Sequence, residues 1–469
     1  DQAVLQVDGR WQLQVPTETT TRARAALRLP GPGLYPIRIR LEVRGDPVAE
    51  VVTFVQRLAD PDADEPEPSS MRVAIVADLH TPVALDIDGR TVLDPAAVDA
   101  VNRLAAVLAA SSVPITIGVE PSVVAAMVDG PDADDESRAA VTGLDDALQQ
   151  HELLSATSLP LDPSAAAVAG QGALYTEWLR DGEDLLAANL STTPSRSTML
   201  IDQPLGDAGG ALLRDLGARL LVLPRDRYDD LPGNIAGFTD LTQLVRLDLT
   251  GGETIDATVV DHGPLTRLAS ADASSTAAAV AAVADLLAAR QEVIDRGDDA
   301  ADHGLTLGLP DLAVPALDGF AEFTALLATT PGLEPSNLDD LAVRTGVQLV
   351  DGRPVTADLP TSAATDLTAR FGTVSRLSDD GTATASMLPD GDARPAEWAR
   401  LTAILPTSAL TDEQVTSIAS TLDGEFDGVR SAVEVPTSFG FTLTGRSGTI
   451  PVSLYNSSEV PLAVTVQLS

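Results

Sequence analysis

A multidomain α/β chain, with a central (β/α) barrel-like domain flanked by β-sandwich (Ig-like) modules, is what three features of these 469 residues predict. Short, continuous apolar runs alternate with amphipathic stretches of helical length over residues 71–345, the pattern of strands buried on both faces by crossover helices. Period-two alternation marks both ends of the chain. Between the first end and the centre lies ADPDADEPEPSS, residues 59–70, an acidic, proline-rich linker with no large side chain to bury.

In chain order, residues 1–58 form the first β module. Ile37, Ile39, Leu41 and Val43 share one face of a strand, Val51–Val55 supply a second, and Pro32-Gly33 and Gly45-Asp46-Pro47 mark turns. The central series begins at Arg72–Ala77. Asp94 and Pro95 then open a helix with an apolar stripe of Val98, Val101, Leu104, Ala105 and Leu108. Further strands are expected at Val113–Val119, Leu153–Leu159, Thr198–Ile201, Arg219–Leu223, Ala257–Val260 and Leu305–Leu309. Helices are expected over Glu136–Gln150, Ala208–Leu216 and Thr276–Arg290. The total of about 270 residues suits a (β/α) barrel, whole or lacking a strand; an open doubly wound sheet is the alternative. Residues 346–430 read as a mixed extension, with helices at Ala396–Leu405 and from a Thr411-x-x-Gln414 capping box to Leu422. Residues 431–469 return to period two at Phe439–Leu443, Ile450–Leu454 and Leu462–Leu468, too few strands for a complete sandwich.

Composition excludes several functions. The net charge is −39, and every basic side chain is arginine; such a field repels nucleic acids and anionic membrane surfaces. Without cysteine there are no disulfides, thiolate metal sites or cysteine nucleophiles. Histidines are too few and too scattered for a metal centre. Phosphate-binding glycine loops, dinucleotide fingerprints and nucleophile elbows are missing, so no cofactor is expected.

The chemistry on offer lies at strand C-terminal ends, where barrels place their active sites. Asp78, Glu120, Asp202 and Asp261 are the candidate catalytic carboxylates, and His80, His262 and Asp311 the candidate binding residues. Paired carboxyls across a sugar are what glycoside hydrolysis requires. The structural reading of the same acids is that they cap helices and form turns, the role assigned to Asp162 before Pro163. His151, at a helix end where the dipole favours a cation, and His303, ahead of its strand, read as structural. Trp11, Trp178 and Trp398 are isolated and read as packing residues rather than sugar platforms.

Val113-Pro-Ile-Thr-Ile-Gly-Val-Glu-Pro-Ser-Val-Val124 and Leu159-Pro-Leu-Asp-Pro-Ser-Ala165 resemble strand exits of a family of actinobacterial, membrane-anchored cell-envelope proteins. Gly33-Leu-Tyr-Pro-Ile-Arg38, Thr53-Phe-Val-Gln-Arg57 and Gly448-Thr-Ile-Pro-Val-Ser-Leu-Tyr-Asn456 resemble its flanking β modules. The chain departs from the family at Glu120, where Asp is usual, and at Leu161, where Tyr is usual. The resemblance implies a barrel like those of glycoside hydrolases and polysaccharide deacetylases. It also implies an extracytoplasmic location, an anchor outside these residues, and a cell-wall glycan or an envelope membrane protein as partner. Members are often encoded beside the lipid II flippase. The expected role is glycan or partner binding without catalysis; the alternative is a carbohydrate-active hydrolase using the strand-end carboxylates.

Overall fold

The computed structural model describes residues 4–5, 11–12, 15, 27–58, 69–79, 83–201, 203–232, 240–268, 275–309, 317–350, 352–361, 365–434 and 453–465. Strands β1 (Gly33–Val43) and β2 (Asp46–Arg57) form a ribbon. The central series runs β3 (Met71–Leu79), α1 (Ala97–Ala110), β4 (Thr116–Val119), α2 (Pro121–Asp129), α3 (Asp135–Leu148), β5 (Glu152–Leu153), α4 (Pro163–Val168) and α5 (Gly172–Asn189). It continues with β6 (Thr198–Leu200), α6 (Asp207–Asp215), β7 (Leu220–Leu223), β8 (Val245–Leu249), β9 (Glu253–Asp261), α7 (Gly263–Leu268), α8 (Ser275–Asp295) and β10 (Gly304–Gly308). After it come α9 (Leu317–Thr329), β11 (Leu333–Ser336), α10 (Leu338–Arg344), β12 (Thr356–Asp358), α11 (Thr368–Ala385), α12 (Arg394–Ile404) and α13 (Asp412–Ser431).

The seven expected central strands all lie in one sheet, in the order β6-β7-β9-β10-β3-β4-β5, and every neighbouring pair on that path is parallel. Among the described residues, the two ends of the path meet only through a parallel bridge between Leu154 and Ser195. The expected strand over Leu153–Leu159 is therefore shorter than its apolar pattern suggests, because its backbone leaves the sheet beyond Ser155. Three strands join the sheet without having been expected: β8 pairs antiparallel with β9, β12 pairs with β8, and β11 runs beside the first half of β3.

Alternation along the strands divides the core. Val73, Ile75 and Ala77 of β3 pack outward against α1, α8 and α9. Ala74 and Val76 face the inside of the curled sheet with Leu220, Val222 and Val260. Burial on both sides is why these strands read as continuous apolar runs. Helices α11, α12 and α13 form a separate core with Leu85; there Trp398 meets Phe426 edge-on at 5.0 Å, and Trp178 is buried in α5, both as packing residues. The Thr411–Gln414 capping box is present as expected. Helix α11 was not anticipated.

The flanks depart from the sandwich expectation. Among the described residues, β1 and β2 pair only with each other. Ile39 and Leu41 of the ribbon remain 46% and 58% exposed, so no second sheet covers this face among the described residues. At the other end, Val433–Glu434 pairs with Tyr455–Asn456. Residues 462–465 are not in a strand, and the strands expected at Phe439–Leu443 and over most of Ile450–Leu454 fall outside the described residues.

At the N-terminal end of the sheet, polar groups partner one another. Thr116 donates its hydroxyl to Glu152 Oε2 at 2.7 Å, and Ser197 donates to Asp339. His303 Nδ1 lies 2.7 Å from Thr242 Oγ1; Thr242 donates to Asp240, which pairs with Arg296 at 2.7 Å. The Arg72 guanidinium donates to the carbonyls of Ala301 and Arg344. Burial pushes the Glu152 carboxyl above the usual carboxylate range, and Asp339 adds to this. Burial also holds His151 and His303 below the usual histidine range. His151 is thus structural but not a dipole-stabilised cation: its Nδ1 accepts from Ile115 N–H at 3.1 Å, which fixes a neutral ring.

Candidate functional site

Inward-facing positions recur at every second residue of a strand, so Arg72, Ala74, Val76 and Asp78 of β3 form one row. The row ends at Asp78, on the C-terminal rim. The equivalent row of β4 runs Thr116, Gly118 and then Glu120. Gly118 permits a close crossing: a Cβ there would sit 3.0 Å from Asp78 Oδ1 and 2.6 Å from Leu200 Cδ1. Asp78 therefore reaches over β4 toward Glu120, and both carboxylates line one cavity of about 150 Å³.

Glu120 occupies the N-cap position of α2, yet its side chain makes no capping hydrogen bond. The capping role considered for it is not the one it takes. Asp162 does cap: its Oδ1 accepts from Ser164 N–H at 2.7 Å and Ala165 N–H at 3.2 Å, as Asp-Pro-Ser leads one to expect. It sits 4% exposed in the cavity wall.

Asp261 lies elsewhere. Its Oδ1 accepts from Gly263 N–H at 2.8 Å where the chain turns into α7, and it lines a different hollow, beside Asp240, Arg267 and Arg296. In β9 the neighbouring Val259 packs in the outer layer and Val260 inside, so Asp261, one step further, falls on the outer parity. His262 is on the inner parity, and its Nδ1 lies 3.0 Å from the carbonyl of Gly308. His80, Asp202 and Asp311 lie outside the described residues.

Four further polar residues line the cavity: Ser155, Thr157, Tyr175 and Gln203. Ser155 is 5% exposed, and its hydroxyl has no partner among the described residues. Leu161, Leu179, Met199 and Leu213 supply apolar wall. Reading Leu153–Leu159 as a full strand concealed Ser155 and Thr157. The small polar run Ser-Ala-Thr-Ser at 155–158 was the available signal that the strand stops early. Among the described residues, no three His, Asp or Glu side chains are grouped to hold a metal ion.

Carboxylates, hydroxyls and an amide over an aliphatic floor can hold a polyhydroxylated ring: polar groups take its hydroxyls and the apolar wall takes its C–H face.

No protein-family model matches this chain, and no curated protein does. Among solved structures, it is similar to an α-amylase from Thermotoga maritima, with 8% identity and a TM-score of 0.46 over 77% of this chain and 93% of that one. It is also similar to a branching enzyme from Thermococcus kodakaraensis, with 11% identity and a TM-score of 0.44 over 77% and 90%. A probable polysaccharide deacetylase from Pseudomonas aeruginosa aligns at 10% identity and a TM-score of 0.35, over 60% of this chain and 94% of that one.

Proposed function

We propose that the C-terminal rim of the central, barrel-like sheet binds a cell-envelope glycan without hydrolysing it. The observation that carries the reading is the shared cavity of Asp78 and Glu120, walled by hydroxyl, amide and aliphatic side chains. Binding without turnover is supported by how the other acids are used. Hydrolysis needs two carboxyls in opposed protonation states across the scissile bond, whereas Asp261 and Asp162 are engaged with backbone amides at helix starts. An extracytoplasmic setting, with an anchor outside these residues and the lipid II flippase as a possible membrane partner, belongs to the same proposal and is supported by the sequence resemblance. No helix among the described residues is long and apolar enough to cross a membrane.

One observation favours the second reading, a carbohydrate-active hydrolase: Asp78 and Glu120 line the same cavity. A single experiment separates the two. Purified protein is incubated with peptidoglycan and with arabinogalactan, and both co-sedimentation and released sugars are measured. Co-sedimentation without release, weakened in Glu120→Gln, is expected. Release by wild type that falls about 100-fold in Asp78→Asn or Glu120→Gln, the scale of losing a general acid or base, establishes the hydrolase instead.

A further inference from the structure

The sheet has one weak seam. Between β5 and β6 its backbone is joined by two hydrogen bonds at a single bridge: Ser195 N–H to Leu153 C=O and Ser155 N–H to Ser195 C=O, each 2.8 Å. Beyond Ser155 the chain turns outward to α5, where Ser158 N–H donates to the Trp178 carbonyl at 2.8 Å. A glycine in the middle of that helix makes the approach possible, because a Cβ at Gly182 would lie 2.0 Å from the Ala156 carbonyl oxygen. Further along, Pro160 is held by the helical extension: its carbonyl accepts from Thr407 Oγ1 at 2.7 Å and from Ser408 N–H at 3.0 Å. The segment between β5 and α4 is thus pinned away from β6 at two points.

The cavity occupies the gap that results. Ser155, Ala156 and Thr157 stand on one side, Met199, Ile201 and Gln203 on the other, with Asp78 and Glu120 at the rim. Its volume of about 150 Å³ is small beside the ~300 Å³ at which drug-sized ligands begin to fit. It has room for one sugar ring and not for two. Within it, the buried Ser155 hydroxyl is unpaired among the described residues, a state that costs free energy until a partner arrives.

We propose that the gap between β5 and β6 is an end-recognition subsite: it admits the single terminal residue of a glycan chain, whose hydroxyl pairs with Ser155. The proposal rests on the glycan reading above and adds the form of the ligand. An interior segment of a polymer, with a sugar on each side, has no way through a one-residue recess.

The test uses the methyl glycosides of the constituent sugars of peptidoglycan and arabinogalactan, the intact polymers, and the same polymers with added oligosaccharide as competitor. Binding is followed by calorimetry and by co-sedimentation. At least one methyl glycoside should bind and should displace the protein from polymer. Ser155→Val, which replaces the hydroxyl with a bulkier apolar group, should weaken that glycoside at least about fivefold to tenfold, the loss expected for one hydrogen bond. Ser155→Ala guards against misfolding of the valine variant and should weaken it similarly. Polymer binding with no glycoside binding overturns end recognition and leaves the glycan reading intact. Glycoside binding unchanged in both variants removes Ser155 from the subsite and overturns the proposal as stated. If neither polymer nor glycoside binds, both readings fall together.

Discussion

The polar groups at the two ends of the central sheet have different surroundings. At the N-terminal end, Glu152, Asp339, Asp240, Arg296 and His303 are tied to neighbouring side chains, and Arg72 to backbone carbonyls. At the C-terminal end, Asp78 and Glu120 line a cavity, and the buried Ser155 hydroxyl there has no partner among the described residues. Buried polar groups that satisfy one another hold a fold together, while those that line a hollow are also placed to meet a ligand. On the glycan proposal, the first end maintains the sheet and the second is the one placed to bind.

Substitutions at the two ends should therefore fail in different assays. The largest stability loss is expected from Arg72→Ala, which removes a buried guanidinium and leaves the carbonyls of Ala301 and Arg344 without their donor. A cost of about 2–4 kcal/mol is expected from the lost hydrogen bonds and packing, read from urea denaturation. Thr242→Val interrupts the path from His303 to Asp240 and should cost ~1–3 kcal/mol in the same measurement. Neither variant should change glycan affinity under conditions where it remains folded; a selective loss of affinity would break the contrast.

Glu120→Gln should do the reverse. The substitution keeps the size and shape of the side chain, so stability should stay within about 0.5 kcal/mol of wild type, while glycan co-sedimentation drops. Asp261→Ala sharpens the comparison from within the C-terminal end. It loses only the bond to Gly263 N–H, so a cost of about 0.5–1 kcal/mol and unaltered binding are expected. If Asp261→Ala weakens binding as much as Glu120→Gln does, the two acids share a site after all.

The smallest effect is in pH. His151 and His303 are held neutral by burial, so between their lowered folded values and the ordinary value near 6.5 the unfolded chain binds more protons. Stability should fall as the pH drops below about 6.5. Glu152 acts with the opposite sign. Its raised value means that the folded chain keeps a proton the unfolded chain has released, so its contribution weakens as the pH rises from about 4.5 toward the folded value. Thermal melts between pH 4 and 8 should show both slopes, and Glu152→Gln should remove the second while leaving the first.

The sequence by itself determined the central strands and most of the helices around them. A strand covered on both faces is apolar along most of its length, and a helix start needs a residue to meet its free amides, so β3, β7 and the Thr411–Gln414 box are written locally. The same local signals could not tell Glu120 from Asp261, since both are acids at the junction of a strand and a helix. Strand parity and the absence of a Cβ at Gly118 turn Glu120 and Asp78 into one cavity, and parity turns Asp261 out of it. Likewise, Leu153–Leu159 reads locally as one strand, but the approach of α5 through Gly182 draws its second half off the sheet. Periodicity reports which face of an element is buried. Only tertiary packing decides what lies against that face, and therefore whether a carboxylate caps a helix or lines a cavity.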